Sequence, residues 1–212
     1  LTHRLKNPKD KPPMVAFYSA LSGEADVAAD RPRLALPDGA VAEVLAKQGL
    51  ARGGYVVMAP GAEFGPAKRW PHFGALAELL QRPVVLLGSG KEAELCEAIR
   101  AQAPQRCRNL AGRTSLAEAF ALIAGAGHVV SNDSGLMHVA AAFGVPQVAL
   151  FGSSSPLHTP PLNAAAQVVW LKQDPAYNPP LDCSPCFQRE CPLGHFRCLN
   201  DVDAQRVLGL LL

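Results

Sequence analysis

Several features that would narrow the function at once are missing from this 212-residue sequence. Excess charge is one of them: 20 Lys and Arg against 18 Asp and Glu leave a formal net charge of +2. That is too little to draw in a nucleic-acid backbone by electrostatics alone, so no nucleic-acid partner is expected. No apolar run reaches the roughly 20 residues that a membrane-spanning helix needs. The opening residues Leu1-Thr-His-Arg-Leu-Lys6 are polar and no small-residue cleavage site follows, so they do not read as a signal peptide. There is no Gly-x-Gly-x-x-Gly, Gly88-Ser-Gly90 being too short, which disfavours a dinucleotide oxidoreductase; no Walker pattern appears either. No pair of carboxylates is spaced to hold Mg²⁺. Internal repeats and low-complexity tracts are also absent.

What is present is an alternation of short apolar strands and helical segments. Hydrophobic residues make up 49% of the chain, and the mean hydropathy of +0.08 is ordinary for a soluble protein with one well-filled core. Residues 1–13 read as a linker rich in Pro, followed by a short apolar helix over 14–21, a loop over 22–37 and a helix that Asp38 caps and Gly49 ends. The first clear strand, Tyr55–Ala59, comes only after residue 50. Further strands are expected over 83–87, 107–110, 129–131, 148–151 and 167–171, with helices over 73–80, 92–101, 116–124, 135–143 and 203–212. Ser115 and Glu118 have the spacing of a capping box. This pattern predicts an α/β fold, a parallel sheet covered by helices on both faces. The late first strand and the absence of an initial Met make the chain read as the C-terminal part of a longer protein. On that reading residues 1–50 are interdomain linker and remnant, and residues 51–212 are the domain proper.

One stretch organises the rest. Val129 and Val130 start a strand, Asn132, Asp133 and Ser134 are helix-capping types, and Gly135 leaves room for a ligand. Leu136, Val139, Ala140 and Phe143 then recur at helical spacing. A helix opening at a small-residue turn aims free N–H groups and a positive dipole beyond the strand end, a ready site for phosphate. His138, one turn after Ser134 on the same face, is placed to reach an anion as well. Upstream, the loop Pro60–Pro71 leaves another strand's carboxyl end, with Gly61 and Gly65 allowing close backbone approach and Lys68 supplying a cation. Glu92 heads the next helix, where a carboxylate either accepts ribose hydroxyls or merely offsets the helix dipole.

The strings Asn132-Asp-Ser-Gly-Leu-Met-His-Val-Ala-Ala-Ala142 and Pro60-Gly-Ala-Glu-Phe-Gly-Pro-Ala-Lys-Arg-Trp-Pro71 resemble, in order and length, the donor-binding motifs of glycosyltransferase family 9, the heptosyltransferases of lipopolysaccharide inner-core assembly. The resemblance implies the C-terminal, Rossmann-like half of a two-domain GT-B enzyme. Its reaction would move L-glycero-D-manno-heptose from ADP-heptose to the first inner-core heptose, with inversion and without metal. The acceptor, a lipid-anchored oligosaccharide, and the catalytic base, an Asp, would belong to the first domain. The second half alone would then bind nucleotide with little or no turnover. The resemblance places the enzyme in the cytoplasm, with peripheral contact at the inner face of the inner membrane. It assigns catalysis to Lys68 and Asp133. The donor site would comprise Gly61, Glu63, Phe64, Lys68, Glu92, Asp133, Ser134, Gly135 and His138. Asp133 would take sugar hydroxyls and Ser134, Gly135 and His138 the phosphates, with Arg113-Thr-Ser-Leu116 bordering the adenine. The alternative from another class is a non-catalytic nucleotide- or sugar-binding module, a scaffold whose cysteine-bearing tail docks a partner.

That tail, Cys183-Ser-Pro-Cys-Phe-Gln-Arg-Glu-Cys-Pro-Leu-Gly-His-Phe-Arg-Cys198, places Cys183, Cys186, Cys191 and Cys198 with His195 in 16 residues. Structural zinc, reduced thiols and a redox-labile pair are all open. The uneven spacing and the prolines beside Cys186 and Cys191 favour thiols over zinc. No cofactor is expected. Cys96 and Cys107 read as small buried hydrophobes.

Overall fold

The computed structural model describes residues 9, 11–22 and 31–212; most of the opening linker and residues 23–30 of the first loop lie outside that description. Helix α1 (Met14–Ser19) passes into a 3-10 turn at Ala20–Ser22. It is followed by α2 (Asp38–Lys47), β1 (Val56–Ala59), α3 (Phe73–Leu79), β2 (Val84–Leu86), α4 (Ala93–Gln102) and β3 (Cys107–Asn109). Next come α5 (Leu116–Ala124), β4 (His128–Asn132), α6 (Gly135–Ala142), β5 (Gln147–Leu150), β6 (Ala166–Val169), α7 (Arg197–Asn200) and α8 (Ala204–Gly209). The α/β expectation holds. The six strands form one parallel sheet in the order β3-β2-β1-β4-β5-β6. The order reverses between β1 and β4, whose carboxyl ends therefore diverge to either side of a crevice.

Alternation along the strands divides the core in two. Val56 and Met58 of β1 point to the face covered by α3, α4 and α8, where Trp70, Phe73, Leu76, Ile99 and Val207 pack. Tyr55 and Val57 point to the opposite face, with Leu122 and Ile123 of α5 and Ala140 of α6. Helix α2 buries Val41 and Leu45 in this second core, so it packs as part of the sheet domain. The Tyr55 hydroxyl donates to the Leu122 carbonyl at 2.5 Å, and burial drives its pKa up.

Local signals behave largely as read. The Ser115 capping box forms, Glu118 N–H donating to Ser115 Oγ at 3.2 Å and Ser115 N–H to the Glu118 carboxylate at 2.9 Å. That carboxylate also pairs with Lys47, and together these bonds pull its pKa down to about 2. Asp38, expected as a cap, is instead the first helical residue behind Pro37, where its charge still favours the dipole. The closing helix is shorter than expected, and Asp203 caps it by accepting from Arg206 N–H at 2.7 Å. Cys96 and Cys107 are buried, and burial raises both thiols, Cys96 to about 12. Among the described residues, no helix is long and apolar enough to cross a membrane.

Leu76 of α3 is fully buried in the core cluster that also holds Trp70 and Phe73. Leu76→Ala is expected to lower stability by about 2–5 kcal/mol, the usual cost of a core leucine truncation. Denaturant titration should give a reduced midpoint at unchanged slope.

Candidate functional site

A cleft of about 470 Å³ opens at the carboxyl ends of β1, β2 and β4, where the strand order reverses. Its walls come from three loops and one helix start: Gly61 and Glu63 after β1, Gly88 and Ser89 after β2, Thr114 to Leu116 leading into α5, and Ser134 with Gly135 at α6. The volume suits a nucleotide-sized ligand. A second recess of about 240 Å³ opens at Lys68 and Asp133 and is bordered by Phe64, Ser154, His158 and Thr159.

The loop between β1 and α3 owes its shape to a residue outside it. Asn132, fully buried at the end of β4, donates from Nδ2 to the Pro60 carbonyl at 2.8 Å and the Gly61 carbonyl at 3.3 Å. Its Oδ1 accepts from Trp70 N–H at 3.0 Å. One amide thus ties the start of the loop to its end. Trp70 is anchored further by its indole N–H, which donates to the Val202 carbonyl at 2.7 Å. In between, Gly65 adopts φ +145 with its Cα against the Arg189 carbonyl, a position where a Cβ would stand 2.5 Å from that oxygen.

So held, Lys68 directs its ammonium to Asp133 Oδ2 at 2.5 Å, with side chains only 16% and 5% exposed. Asp133 Oδ1 accepts from the Thr159 hydroxyl at 3.2 Å. The Lys68 ammonium also stands 4.9 Å from the centre of the Phe64 ring, which Arg189 faces as well. Neither Asn132 nor Asp133 caps α6, contrary to the sequence reading. Asn132 spends its amide on the loop, and Asp133 spends its carboxylate on Lys68 and Thr159.

The cap position of α6 belongs to Ser134, whose side chain makes no capping bond and whose buried Oγ has no partner in the structure. Nothing lies within 4 Å of the space a Cβ would fill at Gly135. The helix start therefore offers free donors toward the cleft, as the sequence suggested. His138 stands elsewhere: it lines a third recess, about 290 Å³, with Tyr18, His158 and Thr159. Burial lowers its pKa, Asp133 opposing and Lys68 adding to the effect, so the neutral imidazole is favoured.

Glu92 both braces its own turn and lines the cleft. One carboxylate oxygen accepts from Ser89 N–H at 2.5 Å and Ser89 Oγ at 2.7 Å, bracing the turn before α4. The other lies against Gly61, where any Cβ would be 2.1 Å away. Glu63 is exposed on the rim and pairs with Lys91 at 3.0 Å, which lowers its pKa. Among the described residues, no group of three or more His, Cys, Asp or Glu is arranged to hold a metal ion.

Comparison with known proteins decides the family. The family model "Glycosyltransferase family 9 (heptosyltransferase)" matches residues 1–197. The chain belongs to glycosyltransferase family 9. It is 45% identical over 186 residues to lipooligosaccharide heptosyltransferase 2 of Haemophilus influenzae, covering 78% of this chain and 54% of that protein. Identity to lipopolysaccharide heptosyltransferase 2 of Salmonella typhimurium is 52% over 159 residues, covering 70% of this chain and 43% of the relative. The solved structure of ADP-heptose lps heptosyltransferase II from E. coli superposes with a TM-score of 0.77 at 37% identity, covering 97% of this chain and 63% of that one. The chain thus spans about half the length of the curated relatives it matches.

In this family-9 domain, sequence reasoning missed Asn132 as the organiser of the Lys68 loop, and it missed Ser154, Thr159 and Arg189 altogether. Ser154 is buried beside Lys68 and Asp133 with an unpartnered hydroxyl. A buried-type strand ending in an amide, opposite a long glycine-containing loop, was the one local hint available.

Asn132→Leu keeps the heavy-atom count and branching of the side chain but strands the Trp70 N–H and the Pro60 carbonyl. It should lower stability by about 1–3 kcal/mol, the cost of unsatisfied buried groups. Hydrogen exchange should quicken at Trp70 relative to Leu86, a core strand residue.

Proposed function

We propose that this chain forms the donor-binding half of an inverting heptosyltransferase that takes heptose from ADP-heptose and passes it to the first inner-core heptose of lipopolysaccharide. The observation carrying the reading is the conjunction at one crevice of a lysine ammonium, a helix start with free donors and a nucleotide-sized cleft. The 37%-identical E. coli structure, named for ADP-heptose, supports the choice of donor. In this reading the nucleotide occupies the cleft, with Thr114 to Leu116 near the base and Glu92 toward the ribose. The diphosphate meets Ser134, Gly135 and the α6 start. The sugar extends to the recess at Lys68, Asp133 and Phe64, near His138.

As the bond between the sugar's anomeric carbon and the phosphate oxygen breaks, negative charge collects on the departing diphosphate. Lys68 and the helix start stabilise that charge, and this role is assigned to them without a metal. Asp133 has two tasks: its carboxylate accepts sugar hydroxyls and it holds Lys68 in position until the diphosphate arrives. The base that deprotonates the acceptor hydroxyl is assigned to the acceptor-binding domain. The acceptor is lipid-anchored, which places the reaction at the cytoplasmic face of the inner membrane. A non-catalytic nucleotide- or sugar-binding module is the rival reading; in it Lys68 would only hold the diphosphate in the ground state.

Calorimetry on this chain should find ADP bound more tightly than UDP or GDP, with no need for Mg²⁺; equal affinity for the three would count against the donor assignment. In a catalytically active protein containing this chain, Lys68→Ala should lower kcat by roughly 10²–10³-fold, the usual loss for a transition-state donor. Ser134→Ala should mainly weaken donor binding, by about 1 kcal/mol. If Lys68→Ala raised KM alone, the lysine would be a ground-state clamp and its catalytic role would be wrong.

A further inference from the structure

The cysteine-bearing segment takes no part in the donor reading, yet it is built against the donor loop. Cys183, Cys186, Cys191 and Cys198 all line one small void of about 20 Å³, together with His195 and Ala67. That is room for roughly one water. All four are free thiols. Their environments differ in a directed way. At Cys198, burial first, then the three neighbouring cysteines, push the thiol up to about 12. Around Cys191 the chain turns back on itself, Gly194 N–H donating to the Cys191 carbonyl at 3.1 Å and Phe196 N–H to its Sγ at 3.4 Å. Burial opposes ionisation of Cys191, but the backbone N–H groups of Phe196, Leu193, His195 and Gly194 outweigh it and lower the thiol. Backbone donors converging on sulfur stabilise a thiolate, the form that attacks oxidants.

The same segment holds the Lys68 loop by its backbone. Arg189 lies between Cys186 and Cys191, and its carbonyl accepts from Ala67 N–H at 3.0 Å and abuts Gly65. Phe187 N–H donates to the Ser153 carbonyl at 2.7 Å, and its ring borders the Lys68 recess. Ala67, which touches the thiol void, directly precedes Lys68.

We propose that Cys191 is a hydroperoxide-reactive thiol that closes a disulfide with another thiol of this void, and that the bond displaces the Lys68 loop. The Cys191 thiolate attacks one peroxide oxygen and the O–O bond breaks. Cys191 becomes a sulfenic acid, and the other oxygen leaves with a proton as water or an alcohol. A second cysteine sulfur then attacks the sulfenic sulfur; the S–S bond forms, the S–O bond breaks, and hydroxide departs as water with the second thiol's proton. Two thiols are oxidised and one peroxide is reduced. The disulfide draws the sulfurs together across the void, which shifts the Arg189 carbonyl on which Ala67 and Gly65 rest.

The test exposes the reduced chain to stoichiometric hydrogen peroxide, alkylates the remaining thiols and maps the peptides by mass spectrometry. Hydrogen exchange over 65–70 is followed before oxidation, after it, and after dithiothreitol. One intramolecular disulfide containing Cys191 is expected, with Cys96 and Cys107 still free. Exchange over 65–70 should quicken after oxidation and recover after reduction. ADP affinity should fall about fivefold, the low end of ordinary coupling between sites. This last readout rests on the donor reading, whereas the disulfide and the exchange do not, so a chain that never bound ADP would sink that reading alone. Cys191→Ser should abolish the disulfide; should that variant fail to fold, trapping the sulfenic acid on the unaltered chain with dimedone serves the same purpose. Four intact thiols, a disulfide lacking Cys191, or one equivalent of tightly held metal on these sulfurs would overturn the thiol proposal. A disulfide that left exchange over 65–70 unchanged would overturn its link to the loop.

Discussion

The Lys68–Asp133 ion pair is the constraint on which the site depends. A carboxylate that is 5% exposed and an ammonium that is 16% exposed both forgo most of their hydration, and each is tolerable there because of the other. The pair joins the two strand ends that flank the crevice: Lys68 comes from the loop after β1 and Asp133 directly follows β4. A ligand with its own negative charge entering near Lys68 replaces part of what Asp133 provides. The pair is thus charged but internally neutral before a ligand arrives, which keeps a cation in place without leaving it unpaired.

That pairing works only if the loop has one shape. Asn132 fixes both ends of the loop, Trp70 fastens it to the C-terminal region through the Val202 carbonyl, and Arg189 supports its middle. These bonds are few, buried and mostly to backbone, so they set geometry more than they add stability. The helix start at Ser134 follows from the same economy. Because Asn132 and Asp133 are engaged elsewhere, the first N–H groups of α6 keep their donors for whatever enters the cleft.

Much of the fold was legible in the sequence. Short apolar strands, capping residues and turn glycines are local signals, and Ser115 with Glu118 formed the bonds their spacing implied. The family was legible through the two motif strings, and the family match bears it out. What stayed hidden was set by partners far along the chain. Asn132 bonds to residues 62 to 72 positions away, and Asp133 to one 65 positions away. Seen locally, both look like helix caps. His138 shares a helix with Ser134, yet its ring faces a different recess, because α1 and the loop around His158 build a wall that periodicity cannot reveal. The cysteine segment was conspicuous, but its seat against Ala67 and Gly65 belongs to tertiary structure alone.

A double-mutant cycle on Lys68→Met and Asp133→Asn, read by denaturant unfolding of this chain, tests the central claim most directly. Each single change should destabilise the fold by leaving a partner unsatisfied, and the double variant should lose less than their sum. The expected coupling is about 1–3 kcal/mol, in the range found for residues in direct contact. Additivity within about 0.3 kcal/mol, the behaviour of independent sites, would mean that the pair does not hold the crevice together.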